Sequence, residues 1–418
     1  MQTRNKPVVL FVAEAVTLAH FARIVTLAKT LDSSEYEVVV ASDPRYISLE
    51  APFGSRFRPI RSISSAEFAQ ALARGKPLYS VETLTQYVED DLELIDSVKP
   101  DLVVGDFRLS LAVSAPLRKI PYAAVVNAYW SPFAEIVYPV PDLPMTQILG
   151  VRLAQILFNA VRPSVFALHA RPLNHVRRRY GLSPLGKDLR NAYTWGDYTL
   201  YADIPELIPI QKLPAHHRWL GPVLWSTHTP LPGWWSQLPE DQPLVFITLG
   251  SSGQAQLLPM VLAALSRLSV TIVAATAGKI ALTDVPANAY VTDYLPMDIV
   301  TQRSQLVISN GGSLTTYQAL ASGVPVIGLC SNMDQLLNMG AVERLGAGVM
   351  LRAADTSSAR LTEVVTVIFD NPSYTQAARR VGQMIAQVDS RQRFRDFVAE
   401  IVNQGAKPLR DQLRQQQG

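Results

Sequence analysis

The chain alternates short, continuously apolar runs with amphipathic stretches, in two separate blocks, and this repeat constrains the fold more than any other feature. In the first block Val8 to Val12 is a buried-strand run. Phe21 to Leu31 follows with Ile24, Leu27, Ala28 and Leu31 at helical spacing. Glu37 to Ala41, Leu102 to Val104 and Tyr122 to Val126 read as further strands, and Glu82 to Val98 and Leu109 to Leu117 as helices. In the second block Leu244 to Leu249, Val270 to Ala275, Leu306 to Ser309 and Val324 to Leu329 are strands, with helices at Gln256 to Leu268 and Leu314 to Ala321. A strand that is apolar along its whole length must be covered on both faces. The pattern therefore predicts parallel sheets flanked by helices, an α/β protein.

Between the blocks, Leu220-Gly221-Pro222-Val223 and Thr229-Pro230-Leu231-Pro232-Gly233-Trp234-Trp235 read as an inter-domain connection. The expected organisation is a first domain over 1–222, a linker over 223–242 and a second domain over 243–418, whose last helix can pack back on the first. Ligands of doubly wound sheets bind outside the carboxyl ends of the strands, so the cleft between two such halves is the expected active site. With 48% hydrophobic and 17% charged residues, the chain can bury substantial cores, which excludes general disorder. A net charge of +3 is too small for a nucleic-acid footprint. The lone Cys330 excludes an intrachain disulfide framework and a cysteine-based metal cluster.

Two uncharged stretches, Pro243 to Ser266 and Ser304 to Met333, are long enough to span a bilayer, but Gly250-Ser251-Ser252-Gly253 and Asn310-Gly311-Gly312-Ser313 interrupt them. Breaks of that kind suit strand, loop and helix rather than a lipid-exposed span. The N-terminal apolar run ends at Glu14, too soon for a signal peptide. A cytoplasmic protein without a transmembrane segment is expected.

The most informative segment is Val307 to Leu320, where a strand ends in Gly311-Gly312 and the hydroxyl residues Ser313, Thr315 and Thr316 open a helix. Adjacent glycines allow close backbone approach, and a helix N-terminus offers unpaired N–H groups to an anion. The segment can be a phosphate cradle or an ordinary tight turn; it is not a P-loop, since no Gly-Lys-Ser/Thr follows. Downstream, Gly323-Val324-Pro325 leads to Asp334 and Gln335, which suit a hydroxylated ligand or a helix cap.

The stretch from Thr292 to Asn338 resembles the donor signature of the family 1 glycosyltransferases, the GT-B enzymes that use nucleotide sugars. Bacterial natural-product members show His-Gly-Gly-x-Gly-Thr-Thr, then Gly-x-Pro, then Asp-Gln-x-x-Asn. The resemblance implies two doubly wound Rossmann-like domains facing across a cleft, with the nucleotide sugar as substrate and no cofactor. Asn310 stands where the family's phosphate-binding His sits, and Leu314 where Gly or Asn is usual. Asp293-Tyr294-Leu295-Pro296-Met297 is similar to the element whose aromatic stacks on the base, a role Tyr294 suits. Gln318 falls where the family often has a Glu for the ribose hydroxyls. Phe246 to Gly253 resembles the strand and Gly-Ser loop that would place Ser251 and Ser252 near the diphosphate.

Transfer to a hydroxyl needs a base, and histidine titrates near neutrality. His20, in Leu18-Ala19-His20-Phe21-Ala22-Arg23, resembles the family's Gly-His-x-x-Pro segment, whose His is the general base; Ala19 and Arg23 replace the Gly and the Pro. Asp106, at the end of Leu102-Val103-Val104-Gly105-Asp106, matches the carboxylate that pairs with that base. A carboxylate so placed fixes the tautomer and stabilises the imidazolium. A helix cap is the other reading of Asp106, and Glu14 is a competing partner, although such acids in loops leading into helices often serve solubility. No Asp-x-Asp motif or zinc spacing is present, His216-His217 included, so a metal-independent mechanism is expected. A single in-line displacement at the anomeric carbon, inverting its configuration, is the expected reaction.

Trp130, Phe133 and Tyr138, in a region that also holds Phe158 and Phe166, read either as acceptor contacts or as an inter-helix core. Such walls suit an apolar, hydroxyl-bearing, aromatic or lipid-like acceptor, with peripheral membrane contact left open. Arg177-Arg178-Arg179 reads as a solvated helix face. The expected activity is hexosyl transfer from a UDP- or dTDP-sugar. An epimerase of the same fold and an inert GT-B helper are the other readings.

Overall fold

A computed structural model describes residues 6–50, 56–250 and 253–403. The chain divides into two compact units. The first comprises Met1–Ile136, Ile156–Val223 and Asp389–Gly418; the second comprises Val137–Gln155 and Leu224–Val388. Residues 137–155 therefore group with the second half rather than the first, and the chain's last segment groups with the first.

The first unit holds a parallel seven-stranded sheet of β1 (Val8–Ala13), β2 (Glu37–Ser42), β3 (Phe57–Pro59), β4 (Leu102–Asp106), β5 (Tyr122–Val126), β6 (Tyr198–Tyr201) and β7 (His217–Trp219). Their spatial order is β3-β2-β1-β4-β5-β6-β7. All six residues of β1 are buried, as a two-sided cover requires. The helix Leu18–Ala28 lays Phe21, Ile24, Val25 and Ala28 onto the sheet at helical spacing. Phe394, Phe397, Val398 and Ile401 of the helix Ser390–Asn403 complete the same core. Phe394 sits 5.8 Å from the Phe11 ring, and Arg218 of β7 forms an ion pair with Glu400.

The second unit holds a parallel six-stranded sheet of β8 (Leu244–Thr248), β9 (Thr271–Ala275), β10 (Ala289–Thr292), β11 (Leu306–Ser309), β12 (Val326–Cys330) and β13 (Gly348–Arg352). Its order is β10-β9-β8-β11-β12-β13. In each sheet the strand order reverses once, between β1 and β4 and between β8 and β11. At such a point successive connections leave toward opposite faces and open a crevice beyond the carboxyl ends of the strands.

Among the described residues no helix is long and apolar enough to cross a membrane. Arg177 departs from the solvated face expected of its arginine run. It is 5% exposed, donates to the carbonyls of Ser183 and Ala112, and lies over the Trp195 ring. Arg178 and Arg179 are exposed.

Candidate active site

At the β1/β4 reversal, strand pairing sets Ala13 beside Asp106, and the Glu14 N–H donates to the Asp106 carbonyl at 3.0 Å. The chain then enters the helix Leu18–Ala28, whose third residue is His20. His20 Nδ1 lies 2.7 Å from Asp106 Oδ1. Asp106 is 1% exposed, while the His20 side chain keeps 17% of its surface open. Asp106 thus serves the histidine; the following helix, Leu111–Arg118, has Ser110 at its N-cap.

Arg23, one turn along the same helix, is the residue that sequence reasoning misses. It is 5% exposed and forks onto Asp106, Nε donating to Oδ2 at 2.6 Å and Nη2 to Oδ1 at 2.9 Å. Its Nη1 donates to Asn127 Oδ1 at 2.6 Å, and Asn127 Nδ2 donates in turn to Asp203 at 3.2 Å. Burial, the largest influence on the Asp106 carboxyl, pushes it up, but the Arg23 and His20 charges bring it below its usual range. An ionised carboxylate against Nδ1 requires the proton on Nδ1, which leaves Nε2 with its lone pair. The ring is held flat against Phe107, at a centroid distance of 4.8 Å and an angle of 6°. Phe107 has φ 58°, a left-handed conformation that costs a bulky residue about 1–3 kcal/mol and persists only where its surroundings impose it.

Glu14 does not pair with His20. It is fully buried, accepts from Ser62 Oγ and from Tyr87 Oη, and meets Arg108 Nη1 at 3.1 Å. Arg108 also donates to Asp91 at 3.1 Å, so Asp90-Asp91 supplies a buried ion pair. Burial raises the Glu14 and Asp91 carboxyls, and Arg108 offsets only part of that. The role of Glu14 is a core ion pair rather than solubility.

Of the expected acceptor residues, Trp130 meets the Tyr193 ring edge-on at 5.0 Å, and Tyr193 packs against Phe107 at 5.2 Å, joining Trp130 to the wall around His20. Phe133 is 46% exposed and packs edge-on against His217. Tyr138 is buried and belongs to the second unit, apart from the other two in the chain's division. His217 Nδ1 lies 2.6 Å from Tyr201 Oη, which donates to Ser131 Oγ at 2.7 Å, and burial lowers His217 to about 4. No group of three or more potential metal ligands occurs among the described residues.

At the β8/β11 reversal, Ser309 pairs with Thr248 on one side and Gly328 on the other, which gathers the ends of β8, β11 and β12. Asn310 is 5% exposed and sits between two backbone loops. An added Cβ on Gly253 would come 2.9 Å from its Cβ, and its Oδ1 accepts from the Gly312 N–H at 3.3 Å. Gly312 is the N-cap of the helix Ser313–Ala321 and, having no side chain, lets the backbone at the helix start be approached closely. Gly311 has φ 81°, and a Cβ there would meet Cys330 Sγ at 2.6 Å and Met339 Cγ at 2.7 Å. Gly311→Ala is expected to destabilise the second unit by about 1–3 kcal/mol. Urea unfolding of the variant beside the wild-type chain checks it.

The remaining donor candidates divide. Ser313 and Thr315 lie in the first turn, with Thr315 Oγ1 3.9 Å from Met297 sulfur. Thr316 is fully buried and turned inward, its hydroxyl toward Met339 and receiving Asn338 Nδ2 at 3.1 Å. Asn338 also donates to the Gly311 carbonyl at 2.8 Å, locking the turn from behind. Gln318 is 6% exposed and its Oε1 has no hydrogen-bond partner among the described residues. Gln335 forms a capping box with Asn332, its Oε1 accepting from the Ser331 N–H at 2.9 Å. Asp334 is half-buried in the first turn of that helix. Tyr294 donates its hydroxyl to the Ala277 carbonyl at 3.2 Å, which fixes the ring. Ser251 and Ser252 lie outside the described residues.

Residues 259–394 match the family described as "Erythromycin biosynthesis protein CIII-like, C-terminal domain". Over 373 residues, 89% of this chain and 83% of the relative, the sequence is 53% identical to the "PGL/p-HBAD biosynthesis rhamnosyltransferase" of Mycobacterium bovis (strain BCG / Pasteur 1173P2). It is 52% identical over 375 residues, 90% of this chain and 88% of the relative, to a "PGL/p-HBAD biosynthesis glycosyltransferase" of Mycobacterium tuberculosis (strain ATCC 25177 / H37Ra). The solved structure "Spinosyn Rhamnosyltransferase SpnG complexed with thymidine diphosphate" superposes with TM-score 0.63 at 18% identity, covering 94% of this chain and 99% of that one. With two parallel-sheet units and relatives more than half identical over nine-tenths of its length, the chain belongs to the GT-B family 1 glycosyltransferases.

Proposed function

We propose that this glycosyltransferase moves a 6-deoxyhexose, rhamnose, from a dTDP-linked donor to a hydroxyl of an apolar, glycolipid-type acceptor, inverting the anomeric carbon. The observation that carries the sugar is the 53% identity to a rhamnosyltransferase. A rhamnosyltransferase of the same fold, solved as a complex with thymidine diphosphate, supports the nucleotide.

In the first unit His20 Nε2 takes the acceptor proton as the oxygen attacks, and Asp106 holds the imidazole and balances the imidazolium. Arg23 is a positioning residue, keeping Asp106 ionised and its fork fixed. Phe107 and the Trp130–Tyr193 pair form the apolar wall beside the base. In the second unit the diphosphate leaves with its charge toward the N-terminus of the helix Ser313–Ala321, helped by Asn310, Gly312 and the hydroxyls of Ser313 and Thr315. Tyr294 stacks on the base, and Gln318 and Asp334 take hydroxyls of ribose and sugar. Asn310 is a neutral donor, so this site lacks the ring charge that the family's usual His can supply to a phosphate.

The test is nucleoside diphosphate release from UDP-glucose, dTDP-glucose and dTDP-rhamnose, with and without a pool of phenolic and lipid-alcohol acceptors, with product mass read in parallel. Acceptor-dependent release from dTDP-rhamnose with a deoxyhexose added to the acceptor is the expected result. A hexose increment from a UDP-sugar overturns the donor. Sugar interconversion without acceptor, or donor binding without turnover of any pair, overturns transfer itself.

A further inference from the structure

The helix Pro144–Arg179, kinked at Gly150, has apolar residues on two sides. On one side Ala154, Phe158, Phe166, Ala170 and Leu173 are buried. On the other, Leu153 is 61% exposed, Ile156 69%, Leu157 44%, Val161 36% and Leu168 43%. Positions 153, 156, 157 and 161 follow helical spacing, so these side chains form a stripe rather than scattered exceptions. Seven of the twelve exposed large apolar side chains among the described residues lie on this one helix. An ordinary surface helix is polar on its outer side.

The charges have one sign. Every charged residue of the helix is an arginine, at positions 152, 162, 171, 177, 178 and 179, and no Asp or Glu occurs between Asp142 and Asp188. At the chain's own average of 35 acids in 418 residues, that interval would hold about four. An exposed apolar stripe bordered by arginines and free of acids is the pattern of a helix lying in the plane of a lipid interface. Two copies of this chain pairing through the stripe by a twofold axis would bring arginine against arginine. Among the described residues no helix can span a bilayer, so the contact would be interfacial.

We propose that the exposed face of this helix docks the enzyme on anionic lipid surfaces. Docking would bring the enzyme to an acceptor that itself resides in lipid. The claim about the helix stands independently of the sugar-transfer reading, because its readout is binding and not turnover.

The full chain is incubated with vesicles of phosphatidylcholine, or of phosphatidylcholine and phosphatidylglycerol at roughly 3:1, and floated through a density gradient. The expected result is flotation with the anionic vesicles only, weakened by salt as exposed charges are screened. Leu153→Gln, Ile156→Gln and Leu157→Gln introduced together should lower the bound fraction at least about 10-fold with an unchanged circular dichroism spectrum. A second variant, Arg152→Gln with Arg171→Gln, should lose part of the salt-sensitive binding. Absence of flotation by the wild-type chain, or equal flotation by the triple variant, overturns the proposal. So does self-association that the triple variant abolishes while vesicles bind nothing.

Discussion

His20→Ala is expected to lower kcat/KM for sugar transfer by about 10²–10⁴-fold, the range that general-base catalysis supplies, while dTDP affinity stays at the wild-type value. The two outcomes separate because His20 belongs to the first unit and the elements proposed to hold the nucleotide belong to the second. His20 is only partly buried at the rim of its sheet, so its truncation removes little packing. Steady-state diphosphate release and calorimetric titration with dTDP read the two effects separately. Asp106→Asn supplies a control, because the amide retains the shape of the carboxylate but permits the wrong imidazole tautomer. A His20 variant with wild-type turnover would remove the base assignment.

Arg23→Leu is expected to destabilise the protein by about 3–5 kcal/mol near neutral pH, the cost of leaving one partner of a buried ion pair alone. Asp106 stays buried in the variant, with His20 as its one remaining side-chain partner among the described residues. In the wild-type chain the carboxyl is held low, so it adds stability above the ordinary carboxylate range and loses it as pH falls through the folded value. Without Arg23 the largest influence lowering the carboxyl is gone and only His20 acts against burial, so the carboxyl lies higher than in the wild-type chain. The same linkage then contributes less stability at neutral pH. The gap between the two proteins should be widest near pH 7 and narrow below about pH 4. Urea unfolding across that interval measures it. A gap that does not change with pH would mean that Arg23 contributes packing alone.

Much of the architecture can be read from the chain. The bounds of β5 and β11 coincide with their apolar runs because each run is bracketed by turn residues. The edge strands β3 and β7 are three residues long and bury little, so they carry no comparable signal. Arg23 illustrates what a linear reading misses. In sequence it reads as a departure from a Pro, yet its side chain is directed at Asp106, 83 positions away, and Asn127, 104 away. Its one visible signal is its place on the inner face of the helix, three residues from His20. Glu14 misleads in the opposite sense. Proximity makes it a candidate partner of His20, whereas its actual partner, Arg108, lies 94 residues on.

The return of the helix Ser390–Asn403 to the first core bears on synthesis. Phe394, Phe397, Val398 and Ile401 emerge from the ribosome only after the 165 residues from Leu224 to Val388. At about 5–20 residues per second the first unit waits roughly 8–33 s with part of its hydrophobic face uncovered. During that interval the nascent first unit is exposed to chaperones and to wrong partners, while the later unit can close as soon as its own strands are complete. A fragment ending near residue 223 should therefore resemble that waiting state, and supplying the last helix as a peptide should complete it.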